Sequence, residues 1–425
     1  MKTIKTITVF YCIYTVYTLY ILSVSYYPIL TAFAGLLFIW IGYVLYVAGY
    51  FSINNKHISE KADRYSKHES SYPFSKIDSY NKLKLLLLNI VTWLFSILST
   101  KYYTGKTFNM VIHGLGSNES AYYSYQSYFL NNILASFSFA KIPYILMLGF
   151  TTIIMMWSIL VFVGWSIKNK WFQWLFLISS VMAYLYFGIA RGTNFETYIV
   201  FIIISFCLLQ KSNTANLQNK GFYYFVFLLL GIIMVLVFRL VVSLRGVTFQ
   251  NNICPEIHYD SERFVSQYFP TITGIGISVF GYLGYGIYTI GVSFVDIILE
   301  STNILLGSLF PKGNLIINGS SLESVLRSTI DLGVKWCPDY IKLIDLLGFP
   351  LFLMMLFLLG RISKIIQDSY YPLLLKDSIL LIIFIQMISI PVGNFLMTSS
   401  ANQIMVIYVL GWLLKSNIPR VKFKL

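Results

Sequence analysis

The chain has 425 residues, of which 57% are apolar or aromatic and only 11% charged. Soluble domains carry roughly 25% charged residues, so an ordinary cytosolic enzyme and a disordered chain are both excluded. Four cysteines are too few for a disulfide scaffold, and the surplus of 14 positive charges reports first on orientation, because Lys and Arg gather in the cytoplasmic loops of membrane proteins.

At roughly 20 residues per crossing, the length accommodates ten or more spans. The first apolar runs predict spans near 6–25 and 28–51, separated by a Tyr26-Tyr27-Pro28 break. Both are too long and too Tyr-rich for a removable signal peptide, so both are expected to stay in the mature protein. A basic polar loop occupies 53–84, with His57 and His68 read as solvated, and a third span follows near 85–100. Residues 101–141 read as a long polar and aromatic loop. Spans then fall near 142–165, 171–190, 196–210 and 221–244, and a second long loop runs over 246–342. Within that loop, 271–298 is apolar and glycine-rich, with Gly274, Gly276, Gly281, Gly284, Gly286 and Gly291. Such a segment suits two short crossings or a re-entrant path, and one long tilted helix with small-residue faces is the alternative. Spans near 343–360, 378–397 and 401–415 close the chain before a basic tail. No heptad array, solenoid period or inverted repeat stands out.

These elements define an all-α polytopic membrane bundle of about eleven or twelve spans, read as one integral membrane domain over 1–425. The basic loops place both termini in the cytoplasm and the 101–141 and 246–342 loops on the outer, periplasmic side. With 271–298 entering and leaving on one side, twenty of the 31 Lys and Arg fall inside and eleven outside.

Of the outward cations, five are Arg: Arg191, Arg239, Arg245, Arg263 and Arg327. A guanidinium is a planar fork that grips phosphate or carboxylate with two hydrogen bonds and stays charged when buried. Arginines at membrane depth therefore point to an anionic head group. Arg191 in its tight turn either aims into a cavity or else pairs with Glu196 or anchors at the interface, and Arg239 either lines a site or snorkels to the interface. For proton transfer, Glu256, His258 and Asp260 supply carboxylates and an imidazole in one loop, together with Glu262. The alternative is a solvated acidic loop. Asp260-Ser261-Glu262 has an acid-x-acid form, but one such triplet is weak for a metal, and no metal or other cofactor is expected. His113 and Glu119 are further candidates in the first outer loop. Cys254 and Cys337 either pair or remain isolated thiols. The Tyr122, Tyr123, Tyr125 and Tyr128 cluster suits an interfacial belt or stacking on sugar faces. No phosphate loop, nucleophile elbow, zinc-protease motif or Cys-x-x-Cys occurs, which argues against an ATP-driven pump, a lipase-like enzyme and a zinc protease.

Three stretches resemble the Wzy-type O-antigen and capsule repeat-unit polymerases. They are Tyr282-Leu-Gly-Tyr-Gly-Ile-Tyr-Thr-Ile-Gly291, the Asp345-Leu-Leu-Gly348-Phe-Pro element opening a helix that ends Leu-Leu-Gly360-Arg361, and Arg191-Gly192 at an outward turn. The resemblance covers scattered pieces of 190–361. Pro350 stands where the late element of that family has its second glycine. The resemblance implies a glycosyltransferase in a bacterial inner membrane that uses no metal. A growing glycan would leave its undecaprenyl pyrophosphate and be attacked by a sugar hydroxyl of the next lipid-linked repeat unit. Arg191, Arg239, Arg245, Arg263 and Arg327, with His113, would bind substrate, and His258, Glu256 or Asp260 would serve as base. Its partners would be the lipid-linked oligosaccharide, membrane lipids and a chain-length regulator, with no nucleic acid. A flippase for the same unit and an O-antigen ligase are the competing readings.

Overall fold

The computed structural model describes residues 2–53, 79–114, 121–132, 138–164, 171–213, 215–244, 252–254, 257–330, 337–369, 371–393 and 395–417. His57, His68, Glu119, Arg245, Glu256 and the basic tail lie outside the described residues, as does the side chain of Cys254. Of the described residues, 84% are helical, which bears out the all-α expectation. Among the described residues, eight helices are long and apolar enough to cross a membrane: Thr3–Val24, Ile29–Phe51, Lys82–Thr104, Phe139–Gly164, Trp171–Arg191, Phe195–Ser212, Asn219–Val241 and Phe349–Asp368. The chain is a multi-pass helical membrane protein.

Several sequence boundaries shift, each for a local reason. The helix read as 85–100 runs from Ser79 to Thr104, since Tyr102 and Tyr103 continue its aromatic face. The 101–141 segment is not a plain loop: helices Phe108–Gly114 and Ala121–Asn131 occupy it. The span expected at 343–360 is two helices, Asp339–Leu347 and Phe349–Asp368. Gly348 between them adopts φ 76°, a left-handed conformation that ends the first helix. The span expected at 378–397 is Leu373–Ser389. It stops before Pro391, whose ring cannot continue a helix, and its 17 residues lie at the short end of the crossing range. The glycine-rich segment forms Pro270–Leu283 and Tyr285–Val292, the latter running on through a π-helical turn to Ile298. The two parts are bent by 57° at the break, so together they make a broken span or a re-entrant loop and not one straight helix. Counting this pair once gives up to nine candidate crossings among the described residues; the sequence reading has eleven or twelve over the whole chain.

The described chain groups into two compact units. The first comprises 1–55, 248–368 and 383–394, and the second 56–247, 369–382 and 395–425.

In the first unit, helix Ile29–Phe51 is the central post. It packs against Tyr285–Val292 with one half and against Phe349–Asp368 with the other. Small residues permit both contacts. A Cβ on Gly35 would fall 2.1 Å from the Ile287 carbonyl, and one on Gly291 2.0 Å from that of Thr31. Further along, Gly49 faces the Phe357 carbonyl at 1.9 Å and Gly360 that of Tyr46 at 1.9 Å. No side chain fits at such separations, so the backbones touch, as in small-residue packing of membrane helices. The tyrosines of the first helix reach backbone carbonyls: Tyr11 and Tyr14 donate to Met387 and Ile388 at 3.1 and 2.8 Å, and Tyr17 donates to Gly276. Met387 and Ile388 lie in the last turn of a helix, where carbonyls lack helical partners. A small antiparallel sheet completes the unit, with Ser25–Tyr26 and Asn252–Cys254 flanking Ile257–Tyr259.

In the second unit, helix Ser79–Thr104 packs against Trp171–Arg191 and Ile142–Ile159, and Ser400–Asn417 packs on the latter. Polar side chains join them. Ser96 donates to the Ala183 carbonyl at 2.5 Å, and Asn89 and Trp93 both donate to Ser179 at 2.9 Å. Inside apolar surroundings such bonds hold helices in register.

Candidate functional site

Helix Trp171–Arg191 ends because Gly192 turns left-handed at φ 64°. Thr193 and Asn194 complete a reversal, and helix Phe195–Ser212 starts with Glu196 in its first turn. An acid belongs there, since the helix N-terminus favours negative charge. This geometry folds Arg191 back on Glu196, and the two form an ion pair. The pairing expected as one of the alternatives is therefore realised. Thr193 adds a hydrogen bond to the second Glu196 oxygen at 3.0 Å. The carboxylate fits only because residue 188 is glycine: a Cβ there would lie 2.6 Å from Glu196 Oε2.

The pair is enclosed. The Glu196 side chain is 4% exposed and that of Arg191 18%. The Arg191 guanidinium lies over the Phe187 ring at 4.3 Å and near the Tyr125 ring at 5.6 Å, both within cation–π range. Tyr125 comes from helix Ala121–Asn131, whose first residues cover the turn; the Tyr122 amide would be 2.9 Å from a Cβ on Gly192. Lys106 ties the same region together by donating to the Ala190 carbonyl at 3.0 Å and the Ala121 carbonyl at 3.4 Å. A cation suits a helix C-terminus, where carbonyls are otherwise unpaired. Beside the pair, Tyr184, Thr151, Thr152, Ser96 and Ser399 join Glu196 around a cavity of about 10 Å³, room for about one water. Two buried polar atoms of the turn have no hydrogen-bond partner, Arg191 Nε and Asn194 Oδ1. One is a donor and the other an acceptor.

The other candidates differ from this. Arg239 is exposed on helix Leu217–Leu244, and His113 is exposed in the last turn of Phe108–Gly114. Both belong to the second unit. In the first unit His258 lies on the central strand, paired with Tyr26 and stacked on its ring at 4.7 Å. Asp260 follows directly. One oxygen accepts the Glu262 amide at 2.9 Å and the other accepts Arg263 Nε at 2.9 Å. Burial opposes its charge, but the Glu262 amide and the Arg263 guanidinium outweigh it and hold the carboxyl below the usual range. Asp260 and Arg263 are thus committed to each other in a turn. Arg327 pairs with Glu323 one helical turn away at 2.9 Å. Among the described residues no group of three or more His, Cys, Asp or Glu could hold a metal. Cys337 is a buried free thiol, pushed up to about 12 by burial and by the nearby Glu323 carboxylate.

Asp345, quoted above only as part of a resemblance, has a structural role that the sequence did not disclose. Its carboxylate accepts the Leu322 amide at 2.8 Å, the Glu323 amide at 3.3 Å and Asn314 Nδ2 at 3.2 Å. With Ser321 Oγ accepting the Ser324 amide at 3.1 Å, the first amides of helix Leu322–Thr329 are satisfied. Comparison of the chain with family models, curated proteins and solved structures finds no match.

Proposed function

We propose that this protein is a lipid-linked glycan polymerase of the bacterial inner membrane, acting at the periplasmic face with both termini in the cytoplasm. The reading rests on the resemblance of three motifs and on the chemistry of one of them. Arg191-Gly192 builds an enclosed arginine at the end of a membrane helix, with its Nε free of protein partners and an unpartnered Asn194 oxygen on the same turn. That is the observation that carries the proposal. A pyrophosphate leaving group develops charge as the glycosidic bond breaks, and a preorganised guanidinium stabilises it without a nucleotide site. The unpartnered acceptor suits a sugar hydroxyl. In this reading Glu196 and Phe187 hold the fork of Arg191 in place. Asp260 is occupied by Arg263 and is not taken as the base.

The test uses purified protein in proteoliposomes with lipid-linked repeat units presented on the periplasmic face. Wild type is expected to yield a ladder of products and release lipid pyrophosphate. Arg191→Lys keeps the charge but loses the fork, and should lower elongation at least tenfold while the protein stays folded. A variant with full ladders would remove Arg191 from the site. Transport of lipid-linked units without elongation would favour the flippase, and transfer only to a lipid core acceptor would favour the ligase.

A further inference from the structure

Residues 299–317 form a compact hairpin in the first unit: helix Thr302–Ser308, a turn through Pro311 and Lys312, and helix Gly313–Ile317. Ser301 caps the first helix by accepting the Ile304 amide at 3.4 Å. The two helices meet backbone to backbone. A Cβ on Gly313 would lie 2.3 Å from the Gly307 carbonyl, and one on Gly307 2.4 Å from Asn314 Oδ1. The hairpin is therefore well built, yet its apolar side chains form no core of their own. Ile316 is 79% exposed, Leu299 70% and Phe310 59%, and Leu305, Leu315 and Ile317 are exposed beside them. From Ser301 to Ser320 the sequence has one charged residue, Lys312 at the turn, and Glu300 lies just before it. A contiguous apolar surface of this kind marks contact with a partner or a membrane.

Two contacts fix the depth of the hairpin. The Lys312 amide donates to the Asp345 carbonyl at 2.9 Å. A Cβ on Gly348 would lie 2.8 Å from the Leu309 carbonyl, so the turn rests on this glycine. Gly348 immediately precedes Phe349, the first residue of a membrane-crossing helix. The hairpin thus packs against the start of that helix, on whose first turns Leu351 and Met354 are also exposed.

We infer that the 299–317 hairpin is an interfacial membrane anchor. Leu299, Phe310, Leu315, Ile316 and Ile317 enter the boundary between headgroups and acyl chains, and the Lys312 ammonium meets lipid phosphate. Apolar side chains placed at this boundary bury about 5–10 Å into it. Because the inference rests on the membrane-crossing fold and not on glycan chemistry, it and the proposed function fail separately.

A photo-crosslinking benzoyl-phenylalanine placed at Ile316 of the full-length protein, irradiated in phosphatidylglycerol-containing liposomes, tests it. The expected product is a phospholipid adduct, absent when the probe is placed at Ser328 on the exposed polar face of helix Leu322–Thr329. A crosslink to a second copy, or to another protein when the experiment is repeated in native membranes, would overturn the inference, as would no adduct at all. An independent measurement uses a nitroxide at residue 316 in a background with all four cysteines replaced. Collision with oxygen should exceed collision with a water-soluble nickel complex at 316, and the order should reverse at 328. Equal collision profiles at the two sites would also overturn it.

Discussion

The Arg191–Glu196 pair makes a quantitative demand that can be checked apart from any catalytic assay. Removing one member of a buried ion pair leaves an uncompensated charge and costs about 3–5 kcal/mol. Arg191 retains 18% exposure and a stacking partner in Phe187 at 4.3 Å, which puts Glu196→Gln near the lower end, about 3 kcal/mol. Arg191→Met strands a carboxylate that is 4% exposed, but Thr193 still donates to it, so its cost is also about 3 kcal/mol. The double variant leaves no buried charge and should cost no more than either single variant, a coupling of at least about 3 kcal/mol. Equilibrium unfolding in mixed micelles, titrated with dodecyl sulfate and followed by helical circular dichroism, measures all four corners of the cycle. Additive single effects, with coupling under about 0.5 kcal/mol, would refute the claim that this pair is enclosed and mutually dependent.

Three further outcomes follow from specific contacts. Gly291→Ala puts a methyl 2.0 Å from the Thr31 carbonyl. The helices must part, at an expected cost of about 1–3 kcal/mol for overpacking; wild-type stability in the same titration would contradict the backbone contact. Asp260 is held below its ordinary pKa, so its contribution to the turn is present above the usual carboxylate range and is lost as pH falls through its lowered folded-state value. Pepsin cleavage within 257–268 should therefore begin at a higher pH in Asp260→Asn than in wild type, and identical onset would sink the assignment. Finally, a thiol raised to about 12 is almost wholly protonated near neutrality. Cys337 should escape maleimide at pH 7.5 in the native protein and react once dodecyl sulfate unfolds it, as read by peptide mass spectrometry; rapid native labelling would count against its burial.

The helices were legible in the sequence because a membrane crossing requires a long apolar run whatever it packs against, and Ile29–Phe51 is the clearest case. The break in the glycine segment was legible too, since glycine clusters suit both kinks and close backbones. What the sequence concealed depends on partners remote along the chain. The strand pairing of Tyr26 with His258 involves runs of two and three residues, too short to show a period. Asp345 caps a helix that begins 23 residues earlier, a contact no local pattern encodes. For the candidate site, the Arg191 turn with its Glu196 partner was visible as one of the alternatives, five residues apart. The stacking of Tyr125 on that arginine was not, because the 101–141 segment read as a loop and the helix Ala121–Asn131 that delivers the ring has only mixed polar and aromatic character.

The glycine contacts of helix Ile29–Phe51 also act as a ruler. Gly35 and Gly49 lie fourteen residues apart, about 21 Å along a helix axis, and each accepts a different backbone, at Ile287 and at Phe357. Gly291 and Gly360 return the contact from the opposite side, at Thr31 and Tyr46. A slide of this helix by one turn would drive side chains into carbonyls at both marks together, so the post is held in register at two levels along its axis.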